Sequence, residues 1–501
     1  MKAASGSQTG QGTTEGRSGR VRPRAAMWIA AALAAGAGLR FWFVAQFFEV
    51  TVDGHLYANL AKNILLHGQY SIADGSGVLH PTLIRLPGYP LFLAACFRFF
   101  GVDKFFPAVV VQIFCELAGC VMLALTARRI CPAGWTDAAR SRAFYVTLWI
   151  AALCPFTASY AASPLTESLT LFCITVAMWL TVRFQDRQRW AAALGFTLVI
   201  TFAALLRPDG ALIGVAFGAA LWAAGNRDQG TGVREQGSGI RIVDKRRIVM
   251  ALVCFLIAAT PFGVWAAHNW SQFHVFQPLA PRYATDPGEP TWQGWQRWVK
   301  TWSLDFKNTY EIYWNVPDGP FDMTLIPARA FDSKEQRDRT AAIARDYENN
   351  DESFNVDIDA RLGRLADERI AAHPIRYYVL LPAARVADML LRPRVENLPI
   401  DQDWWVYRRH WDETILSWFY VALNLAYLTL GVMGLCLRPR LWPWMVLYFV
   451  LRCALLATVE GPEARYTLEF FPMWFVLGGV AVARLTAGPT SDQRRSSAAA
   501  Y

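Results

Sequence analysis

The stretch Thr51-Val-Asp53-Gly-His55-Leu-Tyr57-Ala-Asn-Leu-Ala61 follows closely on an apolar run, Ala25 to Phe48, and the junction between them decides the fold. As a helix the run is long enough to cross ~30 Å of hydrocarbon. Asp53 lies about five residues beyond its end, counting along the chain. A short carboxylate cannot snorkel far and is costly inside a bilayer, so Asp53 marks a water boundary rather than a packing position. After it, Leu56, Leu60, Ile64 and Leu65 recur at helical spacing, predicting an amphipathic helix over 52–67 lying on the membrane surface.

Working outward, nine further stretches have comparable character: 106–127, 143–161, 165–182, 190–206, 210–225, 248–266, 414–436, 441–458 and 467–485. The chain of 501 residues is 54% hydrophobic and 18% charged, with a mean hydropathy of +0.21. That exceeds what a soluble fold buries. The 21 tryptophans suit headgroup-level positions. The nine cysteines include no CxxC pair and mostly occupy apolar stretches, so they read as small filler rather than disulfides or metal ligands.

The net charge of +9 raises the question of nucleic acid, but its distribution answers it. With the N-terminus inside, the inner segments hold 23 Lys and Arg, whereas the short outer loops hold six: Lys62, Arg85, Arg98, Lys104, Arg207 and Arg465. This positive-inside asymmetry predicts a bacterial inner-membrane protein with both termini cytoplasmic and no nucleic-acid partner. The expected organisation is a disordered tail over 1–24, a transmembrane module over 25–266 with its first outer loop at 49–104, an extracytoplasmic region over 267–412, C-terminal spans over 413–486 and a tail over 487–501. Gly88 to Gly101 is too short to span. Ile375 to Leu391, interrupted by Pro382, Arg385 and Asp388, reads as surface-lying; were it spanning, the last three spans would flip. Trp292, Trp295, Trp298 and Trp302 share one helical face and read as an interfacial anchor, with sugar stacking as the alternative. Asn269-Trp-Ser271 is a sequon that carries little weight.

The ionisable candidates gather at outer span ends: Asp53, His55, Tyr57, Arg85, Glu167, Arg207, Asp209, Glu463 and Arg465. A glycosidase needs two carboxylates, one of them an acid that protonates the leaving group. A phosphate leaving group needs no such acid. One base for an acceptor hydroxyl then suffices, with arginines to hold phosphate oxygens bidentately.

Resemblance adds to this inventory. Asp53 to Ile64, then Arg85-Leu-Pro87-Gly88-Tyr89-Pro90-Leu-Phe-Leu-Ala, resembles the first outer loop of the GT-C glycosyltransferases of family 39 and its relatives, the protein O-mannosyltransferases and the lipid A aminoarabinose transferase. Ser163-Pro-Leu-Thr-Glu167-Ser-Leu, Leu206-Arg207-Pro208 and Glu463-Ala-Arg465-Tyr466-Thr-Leu-Glu-Phe-Phe-Pro472 follow in the matching order. The resemblance implies an all-α polytopic membrane protein, a GT-C-like bundle of about ten transmembrane helices with outer juxtamembrane helices and a mixed outer region. It also implies a polyprenyl-phosphate-linked sugar as donor, inversion at the anomeric carbon, and an acceptor that is a lipid, a glycan or a protein. Asp53 maps onto the family's catalytic aspartate, Tyr57 onto its loop tyrosine, Arg85 onto the basic residue before the Pro-Gly-Tyr-Pro element, and Arg465 and Tyr466 onto the late Arg-Tyr pair; donor-phosphate contacts are expected at Arg85, Arg207 and Arg465, and substrate binding at His55, Tyr57, Tyr89, Glu167 and Tyr466. The chain departs from the family at Asp53-Gly54, where Asp-Glu is common, and at Ile84-Arg85-Leu86-Pro87, where the aminoarabinose transferase has an acid. No metal ligand set is expected, and a divalent cation stays open only through His55, His80 or His268. The alternatives are a lipid or solute transporter, or flippase, and a metal-dependent oligosaccharyltransferase-like ligase. Transporters usually carry midplane charges on repeated halves, which this chain does not show.

Overall fold

The computed structural model describes residues 23–227, 245–408 and 410–486. The expected tails, and most of the basic segment 227–247, lie outside the described residues. The first half comprises α1 (Pro23–Phe47), α2 (Val52–His67), α3 (Gly88–Phe100), α4 (Phe105–Ile130), α5 (Asp137–Ala152), α6 (Pro155–Ala161), α7 (Glu167–Arg187), α8 (Trp190–Leu206), α9 (Ala211–Arg227) and α10 (Lys245–Phe273). The second comprises α11 (Gln293–Lys300), the single turn α12 (Phe306–Asn308), α13 (Lys334–Asn349), α14 (Val356–Ala372), α15 (Leu381–Leu391), α16 (Trp411–Cys436), α17 (Trp442–Leu456) and α18 (Phe471–Leu485). Among the described residues the only sheet is a small antiparallel ribbon, β1 (Ser71–Ala73) with β2 (Leu79–Pro81), in the first loop.

Among the described residues, six segments are long and apolar enough alone to cross a membrane: α1, α4, α7, α10, α16, and a 3-10 turn (Ala464–Phe470) continuing into α18. A seventh is broken, because α5 and α6 meet at 50°. Pro155 opens α6 and lacks the N–H that would continue α5. The shorter apolar helices α8, α9 and α17 occupy the remaining expected spans, and α3 is short, as its sequence predicts. The protein is therefore an all-α polytopic membrane protein.

Helix α18 is the centre of the bundle, packed against α16, α5 and α4, while α7 bridges α4 to α8 and α9. Close approach depends on small residues, the usual device where lipid supplies no hydrophobic drive between helices. A Cβ on Gly434 would stand 2.0 Å from the Leu477 carbonyl oxygen, so only glycine lets α16 lie this near α18. Helix α10 is peripheral, and Leu252, Phe255, Leu256 and Val264 are exposed, a surface suited to lipid.

Contacts at one end decide the topology. The Arg440 amide donates to the Ile130 carbonyl at 2.9 Å, and Asp186 takes both Arg129, at 2.9 Å, and Arg440. Arg142 donates to the Thr486 carbonyl at 2.6 Å. Segments 128–142, 183–189, 438–440 and the end of α18 thus share one basic face. The segments 49–104 and 267–412 meet where the Leu83 amide donates to Asp286 at 2.8 Å, here called the loop face, and Ile375 to Leu391 is not among the segments long and apolar enough to cross a membrane. It forms a π-helical turn (Arg376–Leu380) running into α15, with Ile375, Tyr378 and Val379 exposed and Arg385 buried, donating to the Ser303 carbonyl at 2.9 Å.

One expectation is overturned on the loop face. Trp295, Trp298 and Trp302 are no membrane anchor and stack on no ligand: they are at most 1% exposed, packed with Phe321, Tyr347, Phe354 and Leu362 in a separate helical core. Asp359 of α14 caps α11, accepting from the Gly294 and Trp295 amides at 3.0 and 2.9 Å, and so lays α14 across the indole face. Asn269 of the sequon is buried, its amide donating to the Gln277 carbonyl at 2.7 Å.

Candidate active site at the loop face

Helix α2 begins at Thr51, whose hydroxyl accepts from the Gly54 amide at 3.2 Å. Asp53 therefore sits in the first turn, where the helix dipole favours a negative charge. The preceding strand of loop is brought to it by Gly88. A Cβ there would lie 2.5 Å from the Leu205 carbonyl carbon and oxygen, so the start of α3 rests directly on the end of α8. This close approach carries Arg85 to Asp53 and sets both beside Arg207. The Tyr70 hydroxyl donates to the Arg85 carbonyl at 3.0 Å and pins the loop.

Asp53 is a bridge between two arginines from distant parts of the chain. Arg85 Nη2 donates to Oδ1 at 2.8 Å, and Arg465 Nη1 stands 3.6 Å from Oδ2. Burial raises the carboxyl pKa, but Arg85 and then Arg465 outweigh it, and Asp53 is held below the usual carboxylate value. Tyr57, one turn on, is pushed up to about 12 by burial and by Asp53. It packs edge-on against Tyr89 at 4.9 Å. Arg465 also contacts Glu463 (Nε to Oε2, 2.5 Å), whose carboxyl burial pushes up against the pull of Arg465. The Tyr466 hydroxyl donates to the same Glu463.

A second, more deeply buried cluster lies beneath. Arg207 pairs with Glu167 at 3.1 Å and Asp209 at 3.3 Å, with Glu469 at 3.7 Å. Arg452, fully buried, holds Asp209 at 3.0 Å and Glu469 at 2.6 Å and donates twice to the Tyr466 carbonyl, at 3.0 and 2.6 Å. The Tyr466 ring joins the clusters, with Arg207 and Arg465 guanidinium carbons 5.4 and 5.5 Å from its centre. Arg452 and Glu469 escaped the sequence reading. Their signal was an ionisable residue inside an apolar run.

Other expected residues fall elsewhere. His55 is exposed and edge-on to Phe105 at 6.1 Å. Tyr89 is fully buried, its hydroxyl donating to Gln112 at 2.5 Å, and Gln112 donates in turn to the Ser163 carbonyl at 3.0 Å. That arrangement is packing. Glu167 is buried at the head of α7 and committed to Arg207. The histidines are dispersed: His80 pairs with Asp74 and His268 stacks on Trp265. Among the described residues no group of three or more His, Cys, Asp or Glu is placed to hold a metal.

Residues 80–235 match the family model of dolichyl-phosphate-mannose-protein mannosyltransferases. The GT-C resemblance holds. No curated protein matches the chain. Among solved structures, the archaeal oligosaccharyltransferase AglB from Archaeoglobus fulgidus, in complex with an inhibitory peptide and a dolichol-phosphate, is similar at 10% identity with a TM-score of 0.46. That alignment covers 91% of this chain and 50% of the archaeal one, so the chain spans about half its length. ArnT from Cupriavidus metallidurans bound to undecaprenyl phosphate is similar at 15% identity with a TM-score of 0.38, covering 92% of this chain and 78% of that one. At such identities and scores, these likenesses assign no chemistry.

Proposed function

We propose that the protein is a membrane glycosyltransferase. It takes a sugar from a polyprenyl-phosphate donor and transfers it, with inversion, to an acceptor hydroxyl on the extracytoplasmic face. The observation that carries this is the single carboxylate of Asp53 bridged by Arg85 and Arg465 at the mouth of the bundle. The mannosyltransferase family match over 80–235, which includes Arg85, Glu167 and Arg207, supports the donor class.

The chemistry follows from the pairing. With no donor bound, Arg85 spends its charge on Asp53 and Arg465 divides its own between Glu463 and Asp53, which keeps the Asp53 carboxylate ionised but weakly basic. A donor phosphate competes for the same guanidinium groups. As Arg85 and Arg465 turn to phosphate oxygens, Asp53 loses the contacts that depress its pKa and becomes a stronger base. The acceptor oxygen then attacks the anomeric carbon while its proton passes to Asp53. The bond from that carbon to the phosphate oxygen breaks, and the arginines stabilise the charge arriving on the phosphate. Holding two substrates together at a bilayer edge lowers the barrier further. Arg207 and Tyr466 position Arg465 from beneath. The basic face is assigned to the cytoplasm, and the membrane to a bacterial inner membrane.

The test is transfer from a polyprenyl-phosphate sugar in nanodiscs. Asp53→Asn should lose at least 10³-fold in rate, roughly the worth of a positioned base, with unchanged yield and a melting point lowered only by the loss of its ion pairs with Arg85 and Arg465. Undiminished turnover by that variant would sink the proposal.

A further inference from the structure

A cavity of about 360 Å³ has Arg465 and Glu463 in its lining but not Arg85. One wall is aromatic. The turn α12 runs into a π-helical turn (Thr309–Tyr313), which places Tyr310 and Trp314 edge to face at 6.3 Å, both with surface open to solvent. π-Helical turns of this kind are frequent at functional sites. The Thr309 hydroxyl donates to the Pro462 carbonyl at 3.1 Å and fixes this wall against the segment that bears Glu463.

Another part of the lining is polar. Glu396 and Asn397 line it, brought there because Arg394 donates to the Ala464 carbonyl at 2.7 Å and to Thr467 at 2.6 Å. Glu396 has a buried oxygen, and Asn397 a buried amide nitrogen, without a hydrogen-bond partner among the described residues. Arg392 reaches Glu396 only to 3.8 Å. Burial also pushes up the carboxyls of both Glu396 and Glu463.

A ligand for this space must satisfy an aromatic wall of two rings set edge to face, together with carboxyl and amide groups. An alkyl chain would strand the carboxyls. A peptide segment would bring backbone groups that need partners of their own. A sugar ring offers a C–H face to the aromatic wall and hydroxyls, each donor and acceptor, to the polar one.

We propose that this cavity is the acceptor subsite and that its ligand is a carbohydrate. Its ring lies against Tyr310 and Trp314, its hydroxyls reach Glu396, Asn397 and Glu463, and the attacking hydroxyl passes Arg465 to Asp53. The assignment to an acceptor rests on the glycosyl-transfer reading above. In the step itself, the new bond joins the acceptor oxygen to the anomeric carbon of the donor. The proton goes to Asp53, and the polyprenyl phosphate leaves with the bonding pair.

Saturation-transfer NMR on the full chain in nanodiscs tests it, with methyl glycosides of common hexoses as probes and a Ser/Thr peptide as the rival. At least one glycoside should bind the wild type. Its Kd should weaken about tenfold in Tyr310→Ala and in Trp314→Ala; Glu396→Gln, a near-isosteric change, guards against a folding artefact and should weaken it too. Equal glycoside binding by all three variants, or binding of the peptide alone, overturns the subsite. A rise in KM for the polyprenyl-phosphate sugar, with acceptor KM unchanged, overturns it as well by giving the cavity to the donor's sugar. Because binding needs no chemistry, the two readings separate. Glycoside binding lost in these variants supports a carbohydrate site even if Asp53→Asn transfers normally, and unaltered binding overturns it even if Asp53→Asn is inactive.

Discussion

Replacing Arg452 by Met should be among the most damaging single changes in the protein, although Arg452 touches no part of the proposed substrate path. Its guanidinium is fully buried and holds Asp209 and Glu469 at 3.0 and 2.6 Å while donating twice to the Tyr466 carbonyl. With Arg452 present, two arginines face three carboxylates, Glu167, Asp209 and Glu469. Without it, Arg207 alone must balance all three, at 3.1, 3.3 and 3.7 Å. Breaking a buried pair by removing one partner costs roughly 3–5 kcal/mol, mostly because the remaining charge is left unmatched. Arg452→Met should therefore unfold several kcal/mol more easily, on the order of that figure. The double variant Arg452→Met with Glu469→Leu should recover part of the loss, since it removes the orphan together with its partner. Several cysteines are buried, including Cys120, Cys154 and Cys173, so a thiol-reactive dye reports unfolding directly. Transfer activity should fall in parallel, because Tyr466 and Arg465 lose their support. If the double variant is as unstable as the sum of the two single changes, the cluster is not coupled and the reasoning fails.

Four further outcomes follow from the geometry. Because Asp53 is held below the ordinary carboxylate value, its contribution to stability should be complete above about pH 4 and lost as pH falls through the depressed value. Arg85→Gln removes the larger opposing charge, so in a pH–rate profile its acid limb should lie higher than that of the wild type; an unmoved limb would count against Asp53 as the titrating base. Asp388 shows the opposite sign: burial lifts its carboxyl to about 6 despite Arg392, so stability is lost as pH rises through that value. Asp388→Asn should raise the melting point at pH 8 and by roughly half as much at pH 5, and an equal gain at both would refute the assignment. Gly88→Val should separate α3 from α8, cost about 1–3 kcal/mol through overpacking, and lower activity by moving Arg85; a variant with normal melting and turnover would contradict the 2.5 Å approach.

Hydropathy along the chain determined the membrane class, the positions of the apolar runs and the interrupted character of Ile375 to Leu391, because each depends on composition within a local window. The charge count determined which loops share a side, and the Arg440–Ile130 and Arg440–Asp186 contacts place them together. Asp53, Arg85 and Arg465 were legible because a boundary carboxylate and boundary arginines have few structural uses. Other features depended on what lies opposite. The tryptophan stripe showed a helical face without showing its cover, and α14 rather than lipid covers it. Tyr89 had the expected chemistry but is sealed by Gln112. Arg452 and Glu469 look like isolated charges in apolar runs until folding brings Asp209, more than two hundred residues away, against Arg452. A local pattern determines which residues share a face; which face meets which, and so which charges are paired, was decided only by packing of the whole bundle.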